Sequence, residues 1–393
     1  MKSRFSYNLF GTFFDKGLIL FTSFYLTSLI SVANYGKWVL FYQFVVIAMA
    51  LSFAPLYSIF SRRFSSNGNG NKKTLPVYQI ELLAVIIILI VSFYLILVGD
   101  LFLAALFLLS LMSFGGYNYL SLYFRFSQND KTYFFVSLLR ISLFILIVLF
   151  GLYFSFNSEK LIVLAFLICN FIVLIPYLKY FKIVKSPLVK SQEFLHLMLY
   201  GASSALMNGL DKLCFGAKFS PEVLGIYSYA IALSTASNLI VEAAKKVIVP
   251  DMYKDYASLN KLSLGTRKLK NKLLVFIFVI QVTSPFALYH VLKFLGLIKI
   301  EYYQYDSFIL VLFLNSISFA IFSFYHFLNP LFIALKKSNW MTFSMSLAIV
   351  VYLALFIFWT SDDILDLSVF RFIMFSIPPL TLIVLQFKLK TLN

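Results

Sequence analysis

Long apolar stretches alternate along this chain with short polar connections that are mostly basic. VYQIELLAVIIILIVSFYLILV, from Val77 to Val98, is typical: its apolar residues run on without the two-residue alternation of a barrel strand. A helix needs about 20 mostly apolar residues to cross the hydrocarbon of a bilayer. The pattern predicts twelve such helices, over residues 8–31, 38–60, 76–98, 101–124, 133–155, 160–181, 194–217, 223–246, 273–296, 306–335, 341–359 and 368–387. An all-α polytopic membrane protein is therefore expected. The even number of spans puts both termini on one side.

The connections say which side. Lys and Arg collect in cytoplasmic loops. Lys2 and Arg4, Arg62, Arg63, Lys72 and Lys73, Arg125 and Lys131, Lys179 to Lys190, Lys245 to Lys272, Lys336 and Lys337, and Lys388 and Lys390 all fall on one side. The other side holds Lys37, Lys160, Lys218 and Lys299, with the acidic Asp362, Asp363 and Asp366. Both termini are expected in the cytoplasm. The Val247–Lys272 connection is the longest; its SLNKLSLGTRKLKNK stretch suits either an amphipathic surface helix or a solvated loop.

Composition agrees. Apolar residues make up 61% of the chain and charged residues 12%, where a soluble domain carries about 45–50% and about 25%. The net charge of +17 sits in helix-flanking runs, which argues against nucleic acid as a partner and for anionic lipid headgroups. Cys169 and Cys214 lie far apart in apolar segments, and His196, His290 and His326 are scattered. Neither set gives a metal or disulfide spacing, and no phosphate-binding glycine loop is present. No cofactor is expected. The basic N-terminus lacks a small-residue cleavage site and reads as part of a retained first span.

The two halves share landmarks. FFDKGL places Asp15 beside Lys16, and GLDKLC places Asp211 beside Lys212, 196 positions on. Gly36 and Gly225 each open a span before a run of aromatics, and Pro55 and Pro250 lie near the far ends of those spans. Similar offsets suggest a six-helix unit used twice, with residues 1–190 and 191–393 as the two bundles. Six spans return the chain to its starting side, so the repeats would share one orientation.

GLDKLCFGAKFSPEVLGIYSYAIALSTASNLI resembles the seventh and eighth helices of bacterial O-antigen and polysaccharide-repeat lipid flippases. LNPLFIALKKSNWMTFSMSLAIVVY resembles the end of their tenth helix and the start of their eleventh. These flippases belong to the multidrug/oligosaccharidyl-lipid/polysaccharide exporter superfamily. The resemblance implies two six-helix bundles around a central cavity and no enzymatic activity. It also implies outward flipping of undecaprenyl-pyrophosphate-linked oligosaccharide across the bacterial inner membrane, with glycan polymerase machinery as a neighbour. Multidrug exporters share the architecture. A membrane-embedded glycan polymerase or transferase would need a catalytic platform that the short external loops do not offer.

Charges within spans are costly and normally face a bundle interior or a wet cavity. Asp15, Lys16, Glu81, Arg140, Asp211, Lys212, Glu242, Lys293 and Arg371 lie in or at the margins of predicted spans. Lys293 and Arg371 are near enough to span ends to snorkel outward. Asn8, Thr12, Asp15 and Lys16 share one helical face; Ser204, Asn208, Asp211 and Lys212 repeat the spacing. Given the family resemblance, Lys16, Arg140 and Lys212, with Asn208 on the same stripe, are candidates to line a cationic path for pyrophosphate. Asp15, Asp211 and Glu242 are candidates for proton or ion coupling. The alternative for each is a structural ion pair between helices, as between Asp15 and Arg140. Adjacent residues on a helix point about 100° apart, so Asp211 and Lys212 can serve different surfaces.

The charge pattern gives a topology to test. Reporter fusions after Lys190 and Lys390 should be cytoplasmic and one after Asp363 external; an external signal from Lys390 would refute the assignment.

Overall fold

The structure is a computed structural model. It describes residues 10–11, 13–14, 24, 26–53, 56–57, 75–78, 80–127, 129–154, 159–184, 191–241, 248, 252, 255, 262–303, 307–334, 338–359 and 363–391. Asp15, Lys16 and Glu242 lie outside the described residues, as do Pro55, Pro250 and most of the first predicted span.

The described chain is helical apart from one pair of short strands. Its long helices are α1 (Val32–Ser52), α2 (Ile80–Val98), α3 (Leu101–Phe126), α4 (Asp130–Tyr153), α5 (Glu159–Leu174), α6 (Ser191–Lys218), α7 (Pro221–Ala236), α8 (Leu264–Phe294), α9 (Phe308–Ala334), α10 (Ser338–Phe358) and α11 (Ile364–Thr391). Short helices cover Leu26–Leu29 and Ile300–Tyr303, and a 3-10 turn at Ile175–Tyr180 follows α5. Nine described helices are long and apolar enough to cross a membrane. The third predicted span survives as the shorter apolar helix Leu83–Val98. The seventh is α6, which carries the polar stripe.

Caps explain the boundaries. Gly99 takes φ +68° and ends α2, a backbone conformation that costs glycine little. The Asp100 carboxylate then accepts from the amides of Phe102 and Leu103, at 2.8 and 3.2 Å, and starts α3. Asn129 caps α4, accepting from the Thr132 amide and hydroxyl. Ser220 caps α7, with Pro221 in the first turn. Ser263 caps α8 through the Thr266 amide. That last cap revises the expected boundary. The basic stretch from Leu264 to Lys272 forms the first turns of a 31-residue helix, not a loop.

The chain divides into two units. One comprises Met1–Phe21 and Lys37–Ala205; the other comprises Thr22–Gly36 and Leu206–Asn393. In the first unit α5 packs on α3 and α4, and α2 on α3. Strand β1 (Leu75–Tyr78) pairs in parallel with β2 (Phe181–Val184), from Leu75 opposite Phe181 to Tyr78 opposite Val184. In the second unit α9 packs on α11, α8 and α7, and α10 on α11. Outer faces remain apolar: Ile88, Leu89, Ile96, Phe150, Val275, Ile357 and Phe358 are all exposed. In water such surface would be unfavourable. Against lipid it is the expected surface of a multi-pass membrane protein.

Thr22–Gly36 joins the second unit through specific contacts. The Phe24 ring meets Tyr229 edge-on at 6.1 Å. Lys299 Nζ donates to the Ile30 carbonyl at 2.6 Å. Tyr302 is buried beside Tyr229, their rings 4.6 Å apart, and burial pushes its hydroxyl pKa well above the usual tyrosine range. The two glycines that mark the starts of the second and eighth spans come together here. A Cβ on Gly36 would lie 1.9 Å from the Pro221 carbonyl oxygen, and one on Gly225 would lie 2.4 Å from that of Val32. The starts of α1 and α7 therefore cross backbone against backbone, which only glycine permits.

Gly36→Ala and Gly225→Ala should each lower stability by about 1–3 kcal/mol, the usual range for overpacking. Gly265→Ala, at an α8 position with nothing near the new Cβ, should be neutral or slightly stabilising. Thermal unfolding of the three purified variants in detergent checks this; equal losses would show that the close approach is not what matters.

Candidate functional site

The buried charges provide the chemistry, and each unit has its own. In the second unit Asp211 sits on α6 and is completely buried. Arg371, seven residues into α11 and equally buried, pairs with its Oδ2. Tyr227, on α7, donates its hydroxyl to the same oxygen at 2.7 Å. The sequence placed Arg371 close enough to a span end to snorkel; instead its guanidinium is turned inward. Phe319 on α9 and Phe375 on α11 flank the guanidinium, with ring centres 4.9 and 4.5 Å away, distances suited to cation–π attraction. Tyr227 in turn stacks on Phe215 of α6 at 3.9 Å.

Lys212 behaves differently from its neighbour. It is half-buried, and its Nζ donates to the Asn208 carbonyl one turn earlier, at 3.0 Å. Asn208 is exposed and Ser204 half-buried. The α6 stripe thus splits as the 100° rotation between adjacent residues requires. Ser204, Asn208 and Lys212 follow one partly open face, while Asp211 turns into the helix packing.

In the first unit Arg140 of α4 is 2% exposed. Its guanidinium lies over the Tyr117 ring at 4.0 Å and 6.0 Å from the Phe114 ring, both on α3. The Tyr117 hydroxyl and Ser137 Oγ, one turn before Arg140, are hydrogen-bonded at 3.1 Å. These contacts fix the register of α3 against α4 where the cation is buried. Lys293 remains exposed near the end of α8, as expected.

Some of the other polar positions fasten helix to helix, and others bond or pack within their own helix. Gln281 on α8 donates to Asn238 at 2.8 Å and accepts from Ser323 on α9. Ser234 on α7 bonds Ser316 on α9 at 3.2 Å. Asn170 and Asn315 bond carbonyls one turn back on their own helices. His326 packs against the rings of Phe322 and Tyr325. Among the described residues no group of His, Cys, Asp and Glu is placed to hold a metal ion. Sequence reasoning missed Tyr227 and the inward turn of Arg371. A tyrosine five residues after Glu222 in an apolar helix signals packing, and nothing local links Arg371 to a carboxylate 160 positions earlier.

Breaking the buried pair should be costly. Asp211→Leu or Arg371→Met alone strands one charge and should lose about 3–5 kcal/mol, while the double variant should recover most of it. Thermal unfolding of both singles and the double in detergent forms the cycle. A double variant as unstable as the sum of the singles would show that the pair is not the source of the loss.

No family model and no curated protein matches the sequence. Solved structures do match in shape. An inward-facing multidrug resistance MATE family transporter of the MOP superfamily superposes with a TM-score of 0.56 at 10% identity, covering 94% of this chain and 92% of that one. An outward-facing MATE family transporter of the same superfamily superposes with a TM-score of 0.55 at 13% identity, covering 98% and 94%. At these identities the likeness is one of fold, and it extends over nearly the whole chain: this is the helical membrane fold of the MATE transporters.

Proposed function

We propose that the chain is a transporter that flips undecaprenyl-pyrophosphate-linked oligosaccharide from the cytoplasmic to the outer leaflet of the bacterial inner membrane. It works by alternating access of two six-helix bundles, residues 1–190 and 191–393. Support comes from the full-length likeness to MATE transporters and from the flippase-like stretches around α6, α7 and α9–α10. The observation that carries the choice of substrate is the state of the buried charges. The Asp211 carboxylate, which a cationic cargo would seek, is already held by Arg371 and Tyr227. Lys212 and Asn208 occupy the partly open face of the same helix, and Arg140 is a second cation fixed within the first unit. Cations held in this way suit an anionic pyrophosphate better than a cationic cargo. Lys16 belongs to the same proposal. Asp15, Asp211 and Glu242 are the residues proposed for coupling; for Asp211 this requires release from Arg371.

Multidrug export is the second reading, favoured by the solved multidrug transporters that share the fold. It calls for a cation to displace Arg371 from Asp211, or for a carboxylate elsewhere.

The two readings separate in cells. Arg140→Ala should lower surface glycan about tenfold or more relative to protein abundance, the effect of losing one charge-assisted contact in a rate-limiting step. Arg140→Lys should fall between the alanine variant and wild type, because Lys keeps the charge without the planar fork. Susceptibility to cationic drugs should not change. Unchanged glycan with raised drug susceptibility would reverse the assignment.

A further inference from the structure

A cavity lies within the first unit, at the start of α4 and beside the buried Asp130. It is lined by Tyr123, Phe124, Ser127, Asn129, Thr132, Tyr177 and Tyr180, with a volume of about 380 Å³, within the range of small-molecule sites. It opens where α3 ends, α4 begins and the 3-10 turn follows α5. The charge pattern makes this the cytoplasmic side, since Arg125, Lys131 and Lys179 flank it.

The walls are aromatic and the rim is polar and neutral. Phe124 meets Tyr177 edge-on at 5.1 Å, Tyr123 and Tyr180 lie 6.0 Å apart, and Tyr177 stacks with Tyr180 at 6.1 Å. On the rim, local bonds fix the orientation of each group. Asn129 uses its amide oxygen to accept from Thr132 Oγ1 at 2.8 Å, which leaves its NH₂ to donate. Thr132 Oγ1, having donated, can accept. Ser127 Oγ donates to the Phe124 carbonyl at 3.1 Å and can likewise accept. Fixed donors and acceptors thus stand beside ring faces.

Three ligand classes fit aromatic walls, and the surroundings choose among them. A quaternary ammonium seeks the negative faces of several rings, but the Lys179 ammonium already lies 5.6 Å from the Tyr180 ring centre, and the loop is basic. A phosphate would need Arg, Lys or clustered amides in the lining, which consists of rings, hydroxyls and one carboxamide. A sugar presents C–H faces to rings, whose faces are electron-rich, and hydroxyls to mixed donors and acceptors. We propose that this cavity is a carbohydrate-recognition site holding roughly one or two sugar rings at the cytoplasmic mouth of the first unit. Its physiological role, receiving the glycan end of a lipid-linked cargo, rests on the export reading; sugar binding itself does not.

The test uses the full chain purified in detergent and ligand-detected saturation-transfer NMR. The probes are methyl glucoside, N-acetylglucosamine and N-acetylneuraminic acid, with choline and uridine as comparators. At least one sugar should receive saturation through its ring C–H protons. Tyr177→Ala and Tyr180→Ala should cut that transfer about fivefold each, the scale of one lost stacking partner. Tyr177→Phe and Tyr180→Phe, which keep the ring, should retain most of it. Thermal unfolding identifies any variant that fails to fold, and the phenylalanine variants then carry the comparison. Transfer to choline or uridine in preference to every sugar, or sugar transfer unchanged in the alanine variants, would overturn the proposal. Sugar binding with no effect of these variants on surface glycan would uphold the pocket and count against the export reading alone.

Discussion

The pairing of Asp211 with Arg371 is the contact around which the second unit is organised. Either charge alone in hydrocarbon costs about 2.5–3.5 kcal/mol even on the lenient insertion scale, so the two must find each other. Once they do, the helices carrying them lose their freedom to slide or rotate. Tyr227 adds α7 to the same oxygen, and Phe319 brings α9 against the guanidinium. Four helices are therefore set in register by one carboxylate. The serine and amide bonds between α7, α8 and α9 extend the arrangement with weaker links, each worth about 0.6 kcal/mol on average in a membrane interior.

Arg140 makes a comparison within the same chain. It too is buried, with the Tyr117 ring against its guanidinium and the Phe114 ring further off. Each unit thus buries an arginine against aromatic rings, and in the second unit the Asp211 carboxylate and the Tyr227 hydroxyl complete the cluster.

Much of the fold was legible because lipid imposes a simple rule: twenty apolar residues cross, and basic residues stop them. Gly99–Asp100 and Ser220–Pro221 punctuate the helices where the apolar runs break. Legibility failed where the deciding partner is distant. Ser263 turns a lysine-rich stretch into helix by offering one hydroxyl to Thr266, a local effect outweighed in the sequence by the charge that follows. Arg371 reads as a snorkelling cation until Asp211 is placed beside it. Gly36 and Gly225 were visible as matched landmarks, but the reason for them, that the two helix starts touch each other, is a fact of three dimensions. The aromatic cavity gave the weakest signal of all. Tyr123, Tyr177 and Tyr180 are three among 25 tyrosines, and only folding gathers them.

The short parallel ladder between Leu75–Tyr78 and Phe181–Val184 has a consequence for how the protein is made. Its strands are separated by four long helices, so the connection between them is a loop of about a hundred residues in the sense that governs chain closure. A growing chain cannot form it until Val184 has left the ribosome, so it cannot close before helices α2 to α5 have been synthesised. The ladder is therefore a late joint within the first unit: it ties together the two ends of a segment whose four helices have all been made before it can close.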